Sequence, residues 1–215
     1  MTTELKTEVE FSKVIRERHS VRKYDPSWSI SEEEIKAILS DAILAPSSSN
    51  LQPWRFIVIT DPALKEQLLP IANNQQQVVD ASATIAVIGD IEAYRNAEKI
   101  YEYAEAAGYV TAEVGAAMAK RSRDGYSSMP VQKLKEIALI DGGLVSMQLM
   151  LAAKAKGYDT VPMGGFHPDK FRELFSIPER YETVMLIALG KAAAEGRSTA
   201  RLPLEEVVQW NGFEG

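Results

Sequence analysis

One polar stretch organises the sequence: Ala45-Pro46-Ser47-Ser48-Ser49-Asn50-Leu51-Gln52-Pro53-Trp54. Its two prolines fix φ and remove an N–H each. The hydroxyl and amide side chains between them present several donors and acceptors in a span too short to be a flexible linker. A rigid polar loop followed by Trp54 suits a planar ligand with polar edges. A simple turn is the alternative, because Pro, Ser and Asn dominate turns for local reasons.

The segments on either side of this loop have clear periodicity. Ser31 and Glu34 form a capping-box pattern ahead of an apolar stripe, which predicts a helix from about Ser31 to Leu44. After the loop, the continuous run Phe56-Ile57-Val58-Ile59 predicts a strand buried on both faces. The loop therefore connects a helix to a strand.

The rest of the chain alternates between helical and apolar strand patterns. Two further buried strands are predicted over Thr84–Gly89 and Thr183–Gly190, with helices after Glu8, Asp61 and His167. Residues from about 91 to 129 form a peripheral helical excursion, in which Arg121–Met129 is expected to be a mobile connection. Val131–Ala155 includes the stretch Leu144–Ala153, which is apolar almost all the way round, as is typical of a core helix or a subunit interface.

Composition limits the possible functions. The chain has 215 residues, 46% hydrophobic and 25% charged, which predicts one globular domain over residues 1–215. A net charge of -6 argues against nucleic acid or an anionic membrane as a partner. With no cysteine and two histidines, no metal site is expected. The Met1–Glu8 segment lacks the basic start and apolar run of a signal peptide, and no long uncharged apolar stretch follows, so we expect a cytoplasmic protein.

A basic cluster stands out in this acidic sequence. Arg16, Arg18, Arg22 and Lys23 lie within eight residues, with the Ser20 hydroxyl among them. An arginine side chain can donate two parallel hydrogen bonds to phosphate oxygens, and a hydroxyl can donate a further one. The cluster therefore suggests a phosphate-monoester site. The alternative is a solvated helix end whose cations interact with the helix dipole.

Three more segments bear on binding. Asn73–Gln77 is a run of five side-chain amides, which could hydrogen-bond to the donors and acceptors at the edge of a heterocycle or simply form a polar surface loop. Pro162-Met163-Gly164-Gly165-Phe166 would let backbone approach a ligand closely, or form a tight turn. The apolar tail from Leu204 to Trp210 needs a cover, and a second subunit is a candidate. No Rossmann, P-loop or G-x-S-x-G motif occurs.

Taken together, these segments resemble the FMN-dependent nitroreductase family. Arg18-His19-Ser20-Val21-Arg22 is similar to its N-terminal phosphate motif, and Pro46–Trp54 to its P-S-S-x-N-x-Q-P-W signature. Asn74 and Gln77, then Pro162–Phe166, then Arg201-Leu202-Pro203 follow in the family's order. The resemblance covers essentially the whole chain. It implies an α+β fold, a mixed sheet sandwiched by helices, in a homodimer with exchanged C-terminal tails and FMN at the interface.

The resemblance also implies roles for individual residues. Arg18, Ser20 and Arg201 would hold the FMN phosphate, and Arg22 would lie near the pyrimidine edge, where a cation favours reduction of the flavin. Asn74 and Gln77 would bind the same edge, and Gly164 or Gly165 would offer a backbone N–H near N5. Pro46, Ser47, Ser48 and Asn50 would reach the flavin bound mainly by the other subunit. The remaining cofactor-binding residues implied by the motifs are His19, Pro162 and Met163.

The implied activity is ping-pong transfer of hydride from NADH or NADPH through FMN to nitroaromatic or quinone acceptors, with no essential acid–base residue. The sequence departs from the family pattern at two positions. One affects the positive charge around the phosphate and flavin, and the other affects the contacts with the nicotinamide. Thr199 stands where some members have Lys, with Arg197 as a possible replacement, and Gly164 stands where some members have Glu. The alternatives are a specialised enzyme of the same fold, such as an azoline oxidase or reductive dehalogenase, and a non-catalytic flavin-binding protein.

Overall fold

The structure is a computed structural model that describes residues 10–213. The first helix is observed over Phe11–Glu17, and the predicted start at Glu8 and the Met1–Glu8 segment lie outside the described residues. Nine α-helices occur within the described part of the chain, besides two short 3-10 helices: α1 Phe11–Glu17, α2 Glu32–Ala42, α3 Pro62–Ile71, α4 Gln77–Asp80, α5 Ala97–Ala106, α6 Ala112–Ser127, α7 Val131–Ala155, α8 Pro168–Leu174 and α9 Leu204–Val207.

Four strands form one antiparallel sheet. They are β1 Trp54–Ile59, β2 Ala83–Asp90, β3 Asp159–Met163 and β4 Tyr181–Gly190, in the order β1-β2-β4-β3. Helices cover both faces, so the α+β class is confirmed. The capping box predicted for the second helix is also confirmed, since Ser31 accepts from the Glu34 N–H while Glu34 accepts from the Ser31 N–H.

The two central strands have the period-two alternation that a sheet between two helical layers requires. Ile85, Val87, Ile187 and Leu189 face α2 and α7 in one apolar cluster. Ala86, Leu186 and Ala188 face the other way, toward a cluster that includes Leu68 of α3 and Phe171 of α8. The core therefore lies in two layers, one on each side of β2 and β4.

The prediction that β1 is buried on both faces was wrong. β1 is an edge strand that pairs only with β2 among the described strands, and Val58 is 38% exposed. An unbroken apolar run suits a central strand, but neighbours in space decide which strand becomes the edge. The other edge of the sheet is β3.

The α5–α6 pair forms a helical hairpin outside the sheet, and Gly108 between the helices has φ +74°. The prediction of a mobile connection over Arg121–Met129 was wrong, because α6 continues as a regular helix to Ser127. Salt bridges from Lys120 to Asp124 and from Arg123 to Glu98 hold charged side chains along this helix. A charged sequence here indicates a solvated helix face.

Helix α7 is the central helix of the fold and contacts all four strands. Its approach to the sheet is very close: a Cβ added at Gly142 would lie 2.5 Å from Val184 Cγ2, and a Cβ added at Gly89 would lie 3.0 Å from Ala138 Cβ. By length and a mean hydropathy of 1.4, α7 is the one helix in residues 10–213 that could cross a membrane. Its packing on the sheet accounts for that composition.

We predict that Gly142→Ala destabilises the protein by about 1–3 kcal/mol, because an added methyl overpacks the contact with Val184. Gly125→Ala in α6 is the matched control, since a Cβ there meets nothing within 4 Å and Ala favours a helix over Gly by about 1 kcal/mol. The free energy of unfolding in urea measures both. Val184→Ala should restore stability to Gly142→Ala, and equal stability of the two single variants would contradict the close approach.

Candidate functional site

The basic cluster lies along the free edge of β3. Ser20 bridges Thr160 in parallel, and the Val21 N–H donates to the Thr160 carbonyl at 3.1 Å. Val21 is buried in the core. Because successive side chains of an extended segment point to opposite sides, Arg18, Ser20 and Arg22 share the face directed away from Val21.

The cations of this cluster have no acidic ion-pair partner within the described residues. In residues 10–213, none of Arg16, Arg18, Arg22 and Lys23 forms a salt bridge. The protein has thirty acidic residues, so ion-pair partners are abundant elsewhere. A concentration of unpaired guanidinium groups beside a hydroxyl is suited to an anion from outside the chain.

The amide run packs against the glycine pair that follows β3. Asn73 Nδ2 and Gln75 Nε2 both donate to the Gly165 carbonyl at 2.9 Å. Gln77 is buried, and its Nε2 donates to Met163 Sδ at 3.4 Å and to Gln75 Oε1 at 3.2 Å. Two amides thus hold the Gly165 carbonyl, and a third holds the Met163 side chain beside it.

Asn74 differs from its neighbours in this run, because among the described contacts its side chain does not brace Gly165. Asn73 and Asn74 both have φ +55°, the left-handed region that Asn tolerates better than most residues. The Asn74 N–H donates to the Leu69 carbonyl, and its side chain is exposed. Gly164 is exposed as well, and a Cβ added there would meet nothing within 4 Å. Because Asn73 bonds to Gly165, the open backbone at Gly164 and the exposed amide of Asn74 lie at the same end of β3.

Two further residues that the sequence predicted to bind the cofactor, His19 and Arg201, are less clearly part of this group. His19 lies on the opposite side of its segment from Arg18 and Ser20, and a Cβ added at Gly196 would be 2.5 Å from His19 Cβ. Arg201 lies in the exposed tail, where its Nη1 donates to Thr199 Oγ1 at 2.5 Å. Within the described part of the chain, Arg201 makes no hydrogen bond or salt bridge to the basic cluster.

The polar loop Pro46–Trp54 is held by several elements at once. The Ser48 N–H and hydroxyl donate to the Asp141 carboxylate of α7 at 3.0–3.1 Å. Ser49 Oγ and Tyr126 Oη of α6 are 3.0 Å apart, and Asn96 Nδ2 donates to the Leu51 carbonyl at 3.1 Å. The far end is joined to the sheet, where the Asp90 N–H donates to the Pro53 carbonyl at 2.8 Å.

The loop backbone is strained. Ser49, Asn50 and Gln52 have φ of 49°, 54° and 48°. Left-handed backbone costs a non-glycine residue roughly 1–2 kcal/mol. Such residues persist where surrounding contacts hold them, and they concentrate at functional sites. A simple turn would not need this geometry at three positions.

Burial raises the pKa of the Asp141 carboxyl above its ordinary value, and the two hydrogen bonds from Ser48 oppose that shift.

Burial likewise raises the pKa of Tyr24, next to the basic cluster, while the Arg22 cation acts in the opposite sense. The Tyr24 hydroxyl donates to the Ala188 carbonyl at 3.3 Å. Tyr24 therefore stays protonated and serves the core.

One chain does not bring the two halves of the predicted site together. The basic cluster, amides and glycine pair lie at the β3 edge, whereas Pro46, Ser47, Ser48 and Asn50 lie beside β1 at the other edge. Three strand spacings of about 4.8 Å put at least roughly 14 Å between the two edges.

Sequence reasoning missed several residues that build these segments. Asn73 and Gln75, rather than the neighbouring Asn74, brace Gly165. Asp141 and Tyr126 hold the loop from distant parts of the chain. A lone acid within the apolar run Ala138–Leu151 was the available signal for Asp141.

Comparison with known proteins adds independent information. The family model described as "Nitroreductase family" matches residues 15–191. The chain is 46% identical, over 94% of its length and 97% of the relative's, to the Bacillus subtilis protein named "Putative NAD(P)H nitroreductase YdgI". It is 42% identical to a second Bacillus subtilis protein, "Putative NAD(P)H nitroreductase YodC", over 92% of this chain and 96% of that one.

Among solved structures, the fold is similar to that of an Exiguobacterium sibiricum protein described as "a putative nitroreductase in complex with FMN". The TM-score is 0.92 at 44% sequence identity, over 96% of this chain and 99% of the other. The nitroreductase-like fold implied by the sequence motifs is thereby confirmed.

We predict that Asn74→Gly leaves the free energy of unfolding nearly unchanged, whereas Asn74→Ala lowers it by about 1 kcal/mol, because only Gly adopts φ +55° without strain. Gln76→Ala is the matched control, since Gln76 belongs to the same amide run but has φ -56°. Urea denaturation measures all three. Equal stability of the Ala and Gly variants at residue 74 would contradict the left-handed backbone there.

Proposed function

The chain belongs to the nitroreductase family, and we propose that it is an FMN-dependent oxidoreductase that uses NADH or NADPH to reduce nitroaromatic or quinone acceptors by a ping-pong mechanism. The observation that carries the proposal is the face shared by the Arg18 and Arg22 cations and the Ser20 hydroxyl, without a salt bridge in residues 10–213, near the amide-braced glycine pair at the edge of β3. FMN offers a phosphate monoester and a planar ring with polar edges, which are the two chemistries these groups suit.

The residues present fit this cofactor. The cluster supplies guanidinium and hydroxyl donors that no acid among residues 10–213 neutralises, and Gly164 leaves its backbone open, with no Cβ between it and a bound ring. The relative from Exiguobacterium sibiricum was solved with FMN, at 44% identity to this chain. When bound, FMN supplies hydride transfer from the nicotinamide to the acceptor.

We assign the following roles to this chain's own residues. Arg18 and Ser20 bind the phosphate, together with Arg201, whose guanidinium Thr199 orients. Arg22 stabilises negative charge at the pyrimidine edge, which makes reduction of the cofactor easier. Asn74 and Gln77 hydrogen-bond the same edge, and Gly164 or Gly165 presents a backbone N–H. No side chain acts as an essential acid or base.

We further propose that the site is completed by a second copy of the chain. Pro46, Ser47, Ser48 and Asn50 lie at the sheet edge opposite the basic cluster, so they suit the cofactor of a partner subunit better than their own. The chain also exposes much apolar surface, including Trp210 at 85%, and large exposed apolar patches mark interaction sites. The exposed apolar side chains on α1, after α2, in the middle of α7 and in the tail are Phe11, Ile15, Ile43, Leu44, Leu139, Ile140, Leu144, Met147, Leu202, Leu204, Val207, Trp210 and Phe213.

Anaerobic reduction tests the proposed activity. We expect the purified protein to be yellow, NADH or NADPH to bleach its visible absorbance, and a nitroaromatic and a quinone, added in parallel, to restore it. Parallel lines in steady-state double-reciprocal plots would support ping-pong kinetics. A protein that stays colourless after incubation with FMN, or that neither nucleotide bleaches, would refute the proposal. Slow reoxidation by both acceptors would favour a specialised enzyme of the same fold.

Charge on the exposed face of α7 tests the composite site. We predict that the double variant Ile140→Glu/Leu144→Glu is monomeric and binds FMN at least about tenfold more weakly, because losing the partner's hydrogen bonds costs about 1.5–3 kcal/mol. Met118→Glu on α6 is the control: Met118 and Leu144 are equally exposed, at 43%. Light scattering gives the mass and fluorescence titration gives the affinity. A monomer that keeps full FMN affinity would disprove the composite site.

A further inference from the structure

Asp141 is an unexpected residue in the middle of α7. Its side chain is 1% exposed in a helix that is otherwise largely apolar, and burial raises its pKa. Burying a carboxylate is costly unless it is well hydrogen-bonded, and an apolar residue would avoid that cost within the helix itself. Stability of α7 alone therefore does not explain an acid at this position.

The carboxylate contacts one residue of the polar loop. Both oxygens accept from the Ser48 N–H, at 3.1 and 3.0 Å, and Oδ1 also accepts from the Ser48 hydroxyl at 3.0 Å. Ser48 immediately precedes the strained residues Ser49 and Asn50. The carboxylate thus holds the loop where its backbone departs from ordinary geometry.

The same turn of α7 connects the loop to the exposed apolar face of the helix. Ile140 and Leu144 flank Asp141 in sequence and point outward, while Gly142 packs against Val184 of β4. Close packing on the sheet gives α7 no freedom to shift. Ser48 is therefore fixed relative to both the sheet and the face proposed to meet a partner.

We propose that Asp141 is a positioning residue for cofactor binding: by holding Ser48, it sets the direction in which the loop presents its polar groups to the flavin of the partner subunit. This role rests on the proposed function. Asp141 acts through Ser48, so its loss changes the affinity for FMN and the mobility of the loop without removing a direct ligand of the cofactor.

Replacement by an apolar residue of similar size separates this role from folding. We expect Asp141→Leu to fold and dimerise, with thermal stability somewhat below that of the native protein because the Ser48 N–H and hydroxyl lose their acceptor, and to bind FMN at least tenfold more weakly. The Ser48 N–H loses its acceptor, so amide hydrogen exchange of the peptide 47–53 should be faster. Asp141→Asn, whose amide oxygen still accepts from the Ser48 N–H, should restore affinity to within threefold.

Ser146→Ala is the matched control. Ser146 is buried on the same helix, and its hydroxyl donates to the Gly142 carbonyl at 2.6 Å without touching the loop. We expect its FMN affinity and loop exchange to equal those of the native protein. If Asp141→Leu does not fold, Asp141→Ala takes its place with the same expected outcome.

The result that overturns the proposal is a folded Asp141→Leu or Asp141→Ala protein with native FMN affinity and native exchange in residues 47–53. An Asp141→Asn protein as impaired as Asp141→Leu would also overturn it. Failure of the proposed function looks different, since the native protein itself would then bind no FMN. In that case the hydrogen-exchange comparison still decides whether Asp141 holds the loop.

Discussion

The structure depends on the close approach of α7 to the centre of the sheet. Gly142 and Gly89 leave room for that approach, because a Cβ at either position would meet Val184 or Ala138 at 3.0 Å or less. A helix this close cannot rotate or slide without displacing β2 and β4. The orientation of α7 is consequently fixed, with one face buried on the strands and the other, which carries Ile140 and Leu144, directed outward.

A fixed α7 also determines where the two halves of the proposed site lie. Asp141 of α7 is hydrogen-bonded to Ser48 in the loop that precedes β1. The segment that carries the basic cluster pairs with β3, at the opposite edge of the sheet. The sheet therefore separates the two groups, and a shift within one chain large enough to join them would break the strand order. The proposed two-fold arrangement would resolve this separation, because each copy would contribute its β3 edge to one site and its loop to the other.

The sequence predicted those features that depend on neighbours along the chain. The capping box at Ser31, the buried β2 and the long α7 follow from local periodicity, and the structure has each of them. Features that depend on distant contacts were missed. The position of β1 at an edge and the contact between Ser48 and Asp141, ninety-three residues apart, have no local pattern. The charged end of α6 was misjudged because a solvated helix and a polar loop have similar composition.

The contacts of the polar loop bear on the choice between a turn and a ligand site. A turn joining α2 to β1 has many unstrained solutions with few requirements. This loop instead places three non-glycine residues in left-handed backbone and depends on a buried acid, a tyrosine and an asparagine from three other segments. Each of these features lowers stability or restricts the sequence. Such costs are expected where the exact direction of polar groups matters, so the loop geometry favours a binding role over a connecting one.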